Sequence, residues 1–195
     1  YYPDLAVPGA RKAIEKLTEA ALKEGLEKVV LLSGKGEQEA EACEQIVVDS
    51  GLNYTLVRAS WFNQNFSEGA FLEPVLAGQV ALPMPDAEIP FVDADDIADV
   101  VAKVLVDDNY NGQTITVTGP RKMTWSEVVA AMANGIGKEI KYVPITIDAF
   151  KGGMKSAGLP DSYVWLFGYL FEEVLGNPEN QEVSDDVERV LGRKA

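Results

Sequence analysis

Residues 28–66, KVVLLSGKGEQEAEACEQIVVDSGLNYTLVRASWFNQNF, set two short apolar runs on either side of one helix-period segment. Residues 29–32 (VVLL) form an unbroken apolar run of strand length, and residues 54–57 (YTLV) form another, as expected of strands buried on both faces of a parallel sheet. Between them Ala40, Cys43, Ile46 and Val47 recur at helical spacing, and Ser50-Gly51 supplies the stop. This is a βαβ unit, and its handedness puts both strand C-termini on one edge, where open α/β sheets bind ligands. Two loops face that edge: Ser33-Gly34-Lys35-Gly36, and the chain from Ala59 to Asn65.

The totals narrow the function. The 195 residues suffice for one domain or a domain with a small appendage. A net charge of −14 repels phosphate backbones and anionic membranes, and no basic cluster offsets it, so neither nucleic acid nor membrane is expected as a partner. With no histidine and one cysteine, the chain has no zinc-type ligand set, no Ser-His or Cys-His pair and no internal disulfide. No metal is expected. Cys43 falls on the inner face of the helix and reads as a small buried hydrophobe. No apolar run reaches membrane-spanning length and no signal-peptide pattern opens the chain, so a cytoplasmic protein is the expectation.

Residues 1–4 read as the end of a strand and a loop, followed by an amphipathic helix over 8–25 that leads into the strand at Val29. Beyond Asn65 the sequence predicts a helix over 66–78, a short strand at 79–83 and a loop at 84–90. Asp93 or Asp95 caps a helix running to about Asp107, and TITVT at 114–118 is a strand. Thr124 and Glu127 form a capping-box pattern for a helix that Gly135 and Gly137 stop. A strand at 140–143, helices at 147–156 and 160–175, and a capped turn at 184–191 complete the chain. The expected fold is α/β: a parallel Rossmann-like portion, 1–107, and a smaller α+β subdomain, 108–195, packed as one unit with the first.

Gly34-Lys35-Gly36 sits where a dinucleotide fingerprint would, and Arg58 at the end of the next strand suits a 2′-phosphate. The third glycine, however, falls at Glu39, and Glu37 and Glu39 put negative charge where a pyrophosphate would rest. The turn is therefore read as unrelated to phosphate binding.

SGLNYTLVR (50–58), WFNQNF (61–66) and FVDADDIA (91–98), with the closing VSDDVERVLGR (183–193), resemble the NmrA-like group of atypical short-chain dehydrogenase/reductases. The resemblance covers essentially the whole chain. It implies that roughly the first third of a family member, with the phosphate loop and the residue choosing NADH or NADPH, precedes Tyr1. It further implies an NAD(P) cofactor, with NADP the expected form, whose nicotinamide side meets Tyr2, Ser33, Gly34, Ser60, Trp61 and Phe62. Asn63 and Asn65 are then expected to face a substrate cleft between the two halves. Core packing beneath a loop is the other reading of Trp61 and Phe62, and the sequence leaves both open.

Ordinary reductases of the wider superfamily use a Tyr-x-x-x-Lys pair in which the ammonium lowers the phenol pKa. This chain has none, and the polar residues of the corresponding helix are Glu41 and Glu44. A quinone needs less acid assistance than a simple carbonyl, because its two-electron reduction gives a stabilised anion. The resemblance therefore implies an oxidoreductase acting on a quinone or similar carbonyl compound, the catalytic residues unassigned. The alternative is a non-catalytic regulator that senses NAD(P). The aromatic run at 160–175 permits a homodimer.

Overall fold

A computed structural model describes residues 5–7 and 9–195. The strand end expected at residues 1–4, and with it Tyr2, lies outside the described residues.

In chain order the elements are α1 (Ala10–Lys23), β1 (Lys28–Gly34), α2 (Gln38–Asp49), β2 (Asn53–Ala59), α3 (Leu72–Leu76), β3 (Gln79–Leu82), α4 (Ala94–Val106), β4 (Gln113–Val117), α5 (Trp125–Ile136), β5 (Lys141–Pro144), α6 (Ile147–Ser156), α7 (Asp161–Tyr169) and α8 (Asp186–Leu191). The chain divides into two compact units. One comprises the described residues through Ser60, Val92–Pro120 and Ser184–Ala195; the other comprises Trp61–Phe91 and Arg121–Val183.

The first unit is built on a parallel sheet in the order β1-β2-β4. Side chains alternate across it. Leu31 and Leu56 face α1 and α2, where they pack with Ala10, Ile14, Ala40, Cys43 and Val47. The opposite parity, Val57, Ala59, Ile115 and Val117, is buried, as are Ile97, Val100 and Val104 of α4, which packs on this sheet. The α4 cap is Asp93, whose carboxylate accepts from the Asp95 N–H. At the start of α8, Asp186 accepts the Thr116 N–H at 2.7 Å, which occupies a donor on the β4 edge.

The second unit pairs β3 with β5 in parallel and packs α3, α5 and α6 against them, with α7 on α6. Its core is aromatic: Phe66, Phe71, Phe91, Trp125 and Phe171 are buried in one cluster. Trp125 opens α5 behind the capping box that Thr124 and Glu127 complete, and Gly137 ends the helix in the left-handed region at φ +66°.

Two expected helices differ from the structure. Within 66–78 only Leu72–Leu76 is helical. The preceding chain folds into a tight turn in which the Gln64 carbonyl accepts from the N–H groups of Ser67, Glu68 and Gly69. Gly69 makes this possible, since a Cβ there would lie 2.9 Å from the Asn65 Cα. The aromatic run is α-helical to Tyr169 and then widens into a π turn, Leu170–Val174, which buries both Phe171 and Val174.

Candidate functional site

The ends of the first sheet are level. Gly34 stands opposite Ala59, and Ala59 opposite Val117, so three strands finish side by side. The ladder continues one step further: the Lys35 N–H donates to the Ala59 carbonyl at 2.9 Å, and the Ser60 N–H to the Val117 carbonyl at 3.0 Å. This brings Ser33, Gly34 and Ser60 together on one edge.

The hydroxyls on that edge differ in what they hold. Thr118 is spent internally: its Oγ1 accepts the Ser184 N–H at 3.0 Å and reaches the Gly119 carbonyl at 3.1 Å. Ser33 is only 5% exposed, yet among the described residues its Oγ has no hydrogen-bond partner. A buried, unsatisfied hydroxyl costs about 1–3 kcal/mol unless something accepts its proton or donates to it. Beside it, a Cβ at Gly34 would meet the carboxylate end of the Glu37 side chain, which would have to swing aside.

Arg58 is engaged elsewhere. Its Nε donates to both Glu44 carboxylate oxygens at 3.0 and 3.1 Å, its Nη2 lies 2.6 Å from Glu44 Oε2, and its Nη1 lies 3.4 Å from Glu41. Hydrogen bonding to Glu44, more than any other influence, raises the Arg58 pKa above its ordinary value. The first turn of α2 carries Glu39 and Glu41. The Gly34-Lys35-Gly36 turn thus stands beside a guanidinium held by Glu44 and an acidic helix start.

Trp61 and Phe62 begin the second unit, and both are half-buried. The Trp61 ring lies 5.4 Å from Trp125 edge-to-face, 5.4 Å from Phe171 at a tilt, and 6.4 Å from Phe71 nearly parallel. Core packing is therefore one role of Trp61. Asn63, exposed, and Asn65, half-buried, flank Gln64 in a single 3-10 turn.

Sequence reasoning missed the partners that hold these groups. Glu44 had a readable signal: Arg58 shares the parity of Leu56, which faces α2, so a charge there calls for a countercharge on that helix. Trp125 and Phe171, remote from Trp61 in sequence, had none. Among the described residues no group of three or more His, Cys, Asp or Glu is placed to hold a metal, and no helix is long and apolar enough to cross a membrane.

A parallel α/β sheet with level strand ends, flanked by helices, is a Rossmann-like arrangement. The chain belongs to the NmrA-like family, whose model matches residues 39–194. It is 30% identical over 154 residues to an NAD(P)H azoreductase of Xenophilus azovorans, covering 78% of this chain and 52% of that protein. It is 26% identical over 166 residues to Prestalk A differentiation protein A of Dictyostelium discoideum, covering 84% and 55%. The chain thus spans about half the length of these curated relatives. Among solved structures, the NADPH-dependent quinone oxidoreductase of Escherichia coli complexed with NADPH superposes with a TM-score of 0.81 at 21% identity, over 96% of this chain and 69% of that one. At that identity the likeness establishes the fold.

Proposed function

We propose that the protein is an NAD(P)-dependent oxidoreductase, with NADP the preferred form, whose acceptor is a quinone or similar carbonyl compound. The observation that carries this reading is the buried Ser33 hydroxyl at the level strand ends, which has no partner among the described residues and stands where α/β sheets bind ligands. The relatives named for azo and quinone reduction support it.

Ser33, Gly34 and Ser60 fit the nicotinamide end of the cofactor: a hydroxyl to hydrogen-bond it and a glycine that lets the backbone come close. When bound, the reduced nicotinamide supplies a hydride, two electrons and one proton. The chain's own contribution is to orient. The Asn63 and Asn65 amides hold the acceptor carbonyls, and Trp61 and Phe62 exclude water. The second proton of the hydroquinone comes from solvent, since there is no Tyr-x-x-x-Lys pair and Glu41 and Glu44 are committed to Arg58.

The test is to titrate the complete protein with NADPH by fluorescence and to follow NADPH oxidation with menadione. Binding with turnover that Ser33→Ala lowers is expected; absence of NADPH binding overturns the reading. The second reading, a regulator that senses NAD(P), draws on the same missing acid pair. NADPH binding without turnover, together with partner affinity that changes with NADP, would favour it. A cytoplasmic setting and self-association through the outward Tyr163 and Trp165 of α7 belong to the same proposal, the latter checked by sedimentation.

A further inference from the structure

Among the described residues β4 pairs on one side only, with β2, so its other side is an edge of the first sheet. The Val117 carbonyl accepts the Ser60 N–H on the β2 side, and by alternation Thr114 and Thr116 turn their main-chain groups outward. That edge is hazardous by composition. TITVT at 114–118 is β-branched at every position and carries no charge and no proline, the features that let one strand template another.

The block that the strand lacks is supplied by residues 184–195, whose helix α8 packs on β4 and α4. Asp186 accepts the outward Thr116 N–H at 2.7 Å, in the place a neighbouring strand's carbonyl would take. Arg189 fixes that carboxylate from Nε at 2.9 Å and from Nη2 at 2.8 Å. Ser184 is tied to the Thr118 hydroxyl at 3.0 Å. On α4, Arg193 donates to Asp96 at 2.5 Å and to Asp99 at 2.6 Å, and Asp96 is only 7% exposed. Val187 and Val190 are buried. A helix of six residues does not persist in water by itself, so α8 is held by these contacts and comes away as a unit when they break.

We infer that residues 184–195 form a removable guard on the β4 edge, and that the edge pairs with β4 of a second copy when the guard lifts. Antiparallel pairing about a two-fold axis sets this strand against itself, and β-branched side chains facing one another are the cross-strand pairs that stabilise sheets. The net charge of −14 opposes such pairing at low salt. Salt screens that repulsion and weakens the exposed Arg193–Asp99 pair, so both effects favour the dimer as ionic strength rises. This surface is separate from the outward aromatic residues of α7, which belong to the other unit.

The test compares the parent with Asp186→Ala/Arg193→Ala, both checked for cooperative melting. At low protein concentration and low salt, hydrogen exchange of the Thr116 amide is expected to speed up by about tenfold or more in the variant, while that of Val57 in the central strand changes little. At high concentration and about 1 M salt, the variant is expected to sediment at twice the parent's mass. Adding Thr114→Lys, which puts a charge on the edge, is expected to return it to the parent's mass. Unchanged Thr116 exchange in the folded variant, or faster exchange with no gain in mass, overturns the inference. So does a doubled mass that Thr114→Lys leaves intact; loss of that dimer in Trp165→Ala would place the contact on α7. If the variant does not fold, the parent decides. Thr116 and α8 amides exchanging in step and faster than Val57, with a salt-promoted dimer that Thr114→Lys prevents, support the guard, and absence of either result overturns it.

Discussion

Glu44 and Arg58 meet across the α2–β2 interface as a forked pair, with both Glu44 oxygens within 3.1 Å of guanidinium nitrogens and Glu44 only 3% exposed. Removing the arginine strands a buried carboxylate. A fully buried pair broken on one side costs about 3–5 kcal/mol, and the partial exposure of Arg58 reduces this, so Arg58→Ala is expected to lower stability by about 2 kcal/mol in urea denaturation. Arg58→Lys keeps the charge but not the fork and should cost about 1 kcal/mol. Because Arg58 is committed to Glu44, neither change should alter the ratio of NADPH to NADH affinity; a selective loss of NADPH binding would assign the guanidinium to the 2′-phosphate instead.

The start of α5 links a cap to pH. The Thr124 N–H donates to Glu127 Oε2 at 2.8 Å, and the Glu127 N–H returns a bond to the Thr124 hydroxyl at 3.3 Å. Thr124→Ala should cost about 1 kcal/mol. The Thr124 backbone bond, and then its hydroxyl, hold the Glu127 carboxyl below the usual carboxylate range. A depressed carboxyl stabilises the fold above its unfolded pKa, and that contribution is lost as pH falls through the lower folded value. Melting temperatures measured from about pH 7 to about pH 3 should therefore decline less steeply at the acid end in Glu127→Gln than in the parent, from a lower starting point.

The part of the fold that local chemistry dictates was legible. Apolar runs and helical spacing located β1, α2 and β2, while the Thr124–Glu127 capping pattern and the glycine at 137 marked the ends of α5. The pairing of β3 with β5 was not, since it joins strands about sixty residues apart with no turn to fix them. The same limit hid the setting of Trp61, whose neighbours Trp125 and Phe171 are remote from it in sequence. At the sheet edge, Ser33 was reached through family likeness. Nothing in its local sequence says that its hydroxyl finds no partner among the described residues while that of Thr118 is tied to Ser184.

That difference between the two hydroxyls gives a prediction that separates function from packing. Thr118→Ala removes a bond the fold uses and should cost about 1 kcal/mol. Ser33→Ala removes a buried hydroxyl that the described residues leave unsatisfied, so stability should stay level or rise by up to about 1 kcal/mol. Turnover of NADPH with menadione should fall about tenfold in the same variant, equivalent to about 1.4 kcal/mol of lost transition-state stabilisation. A Ser33→Ala protein that is both less stable and fully active would mean the hydroxyl serves the fold.

Trp61 and Asn65, four residues apart, should respond in opposite ways. Asn65 supports its turn through the main chain: its N–H donates to Phe62 at 3.2 Å and its carbonyl accepts from Phe71 at 2.9 Å. Alanine keeps both bonds, so Asn65→Ala should change stability by no more than about 0.5 kcal/mol, and under the proposed function it should reduce turnover through loss of the amide assigned to the acceptor. Trp61→Ala deletes a ring that touches three others and should cost about 2–3 kcal/mol, a value lowered by its partial exposure. Thermal melts and steady-state kinetics on the two variants read both quantities. If Asn65→Ala unfolds the protein instead, its side chain is a structural element of the turn, and the acceptor must be oriented by Asn63 alone.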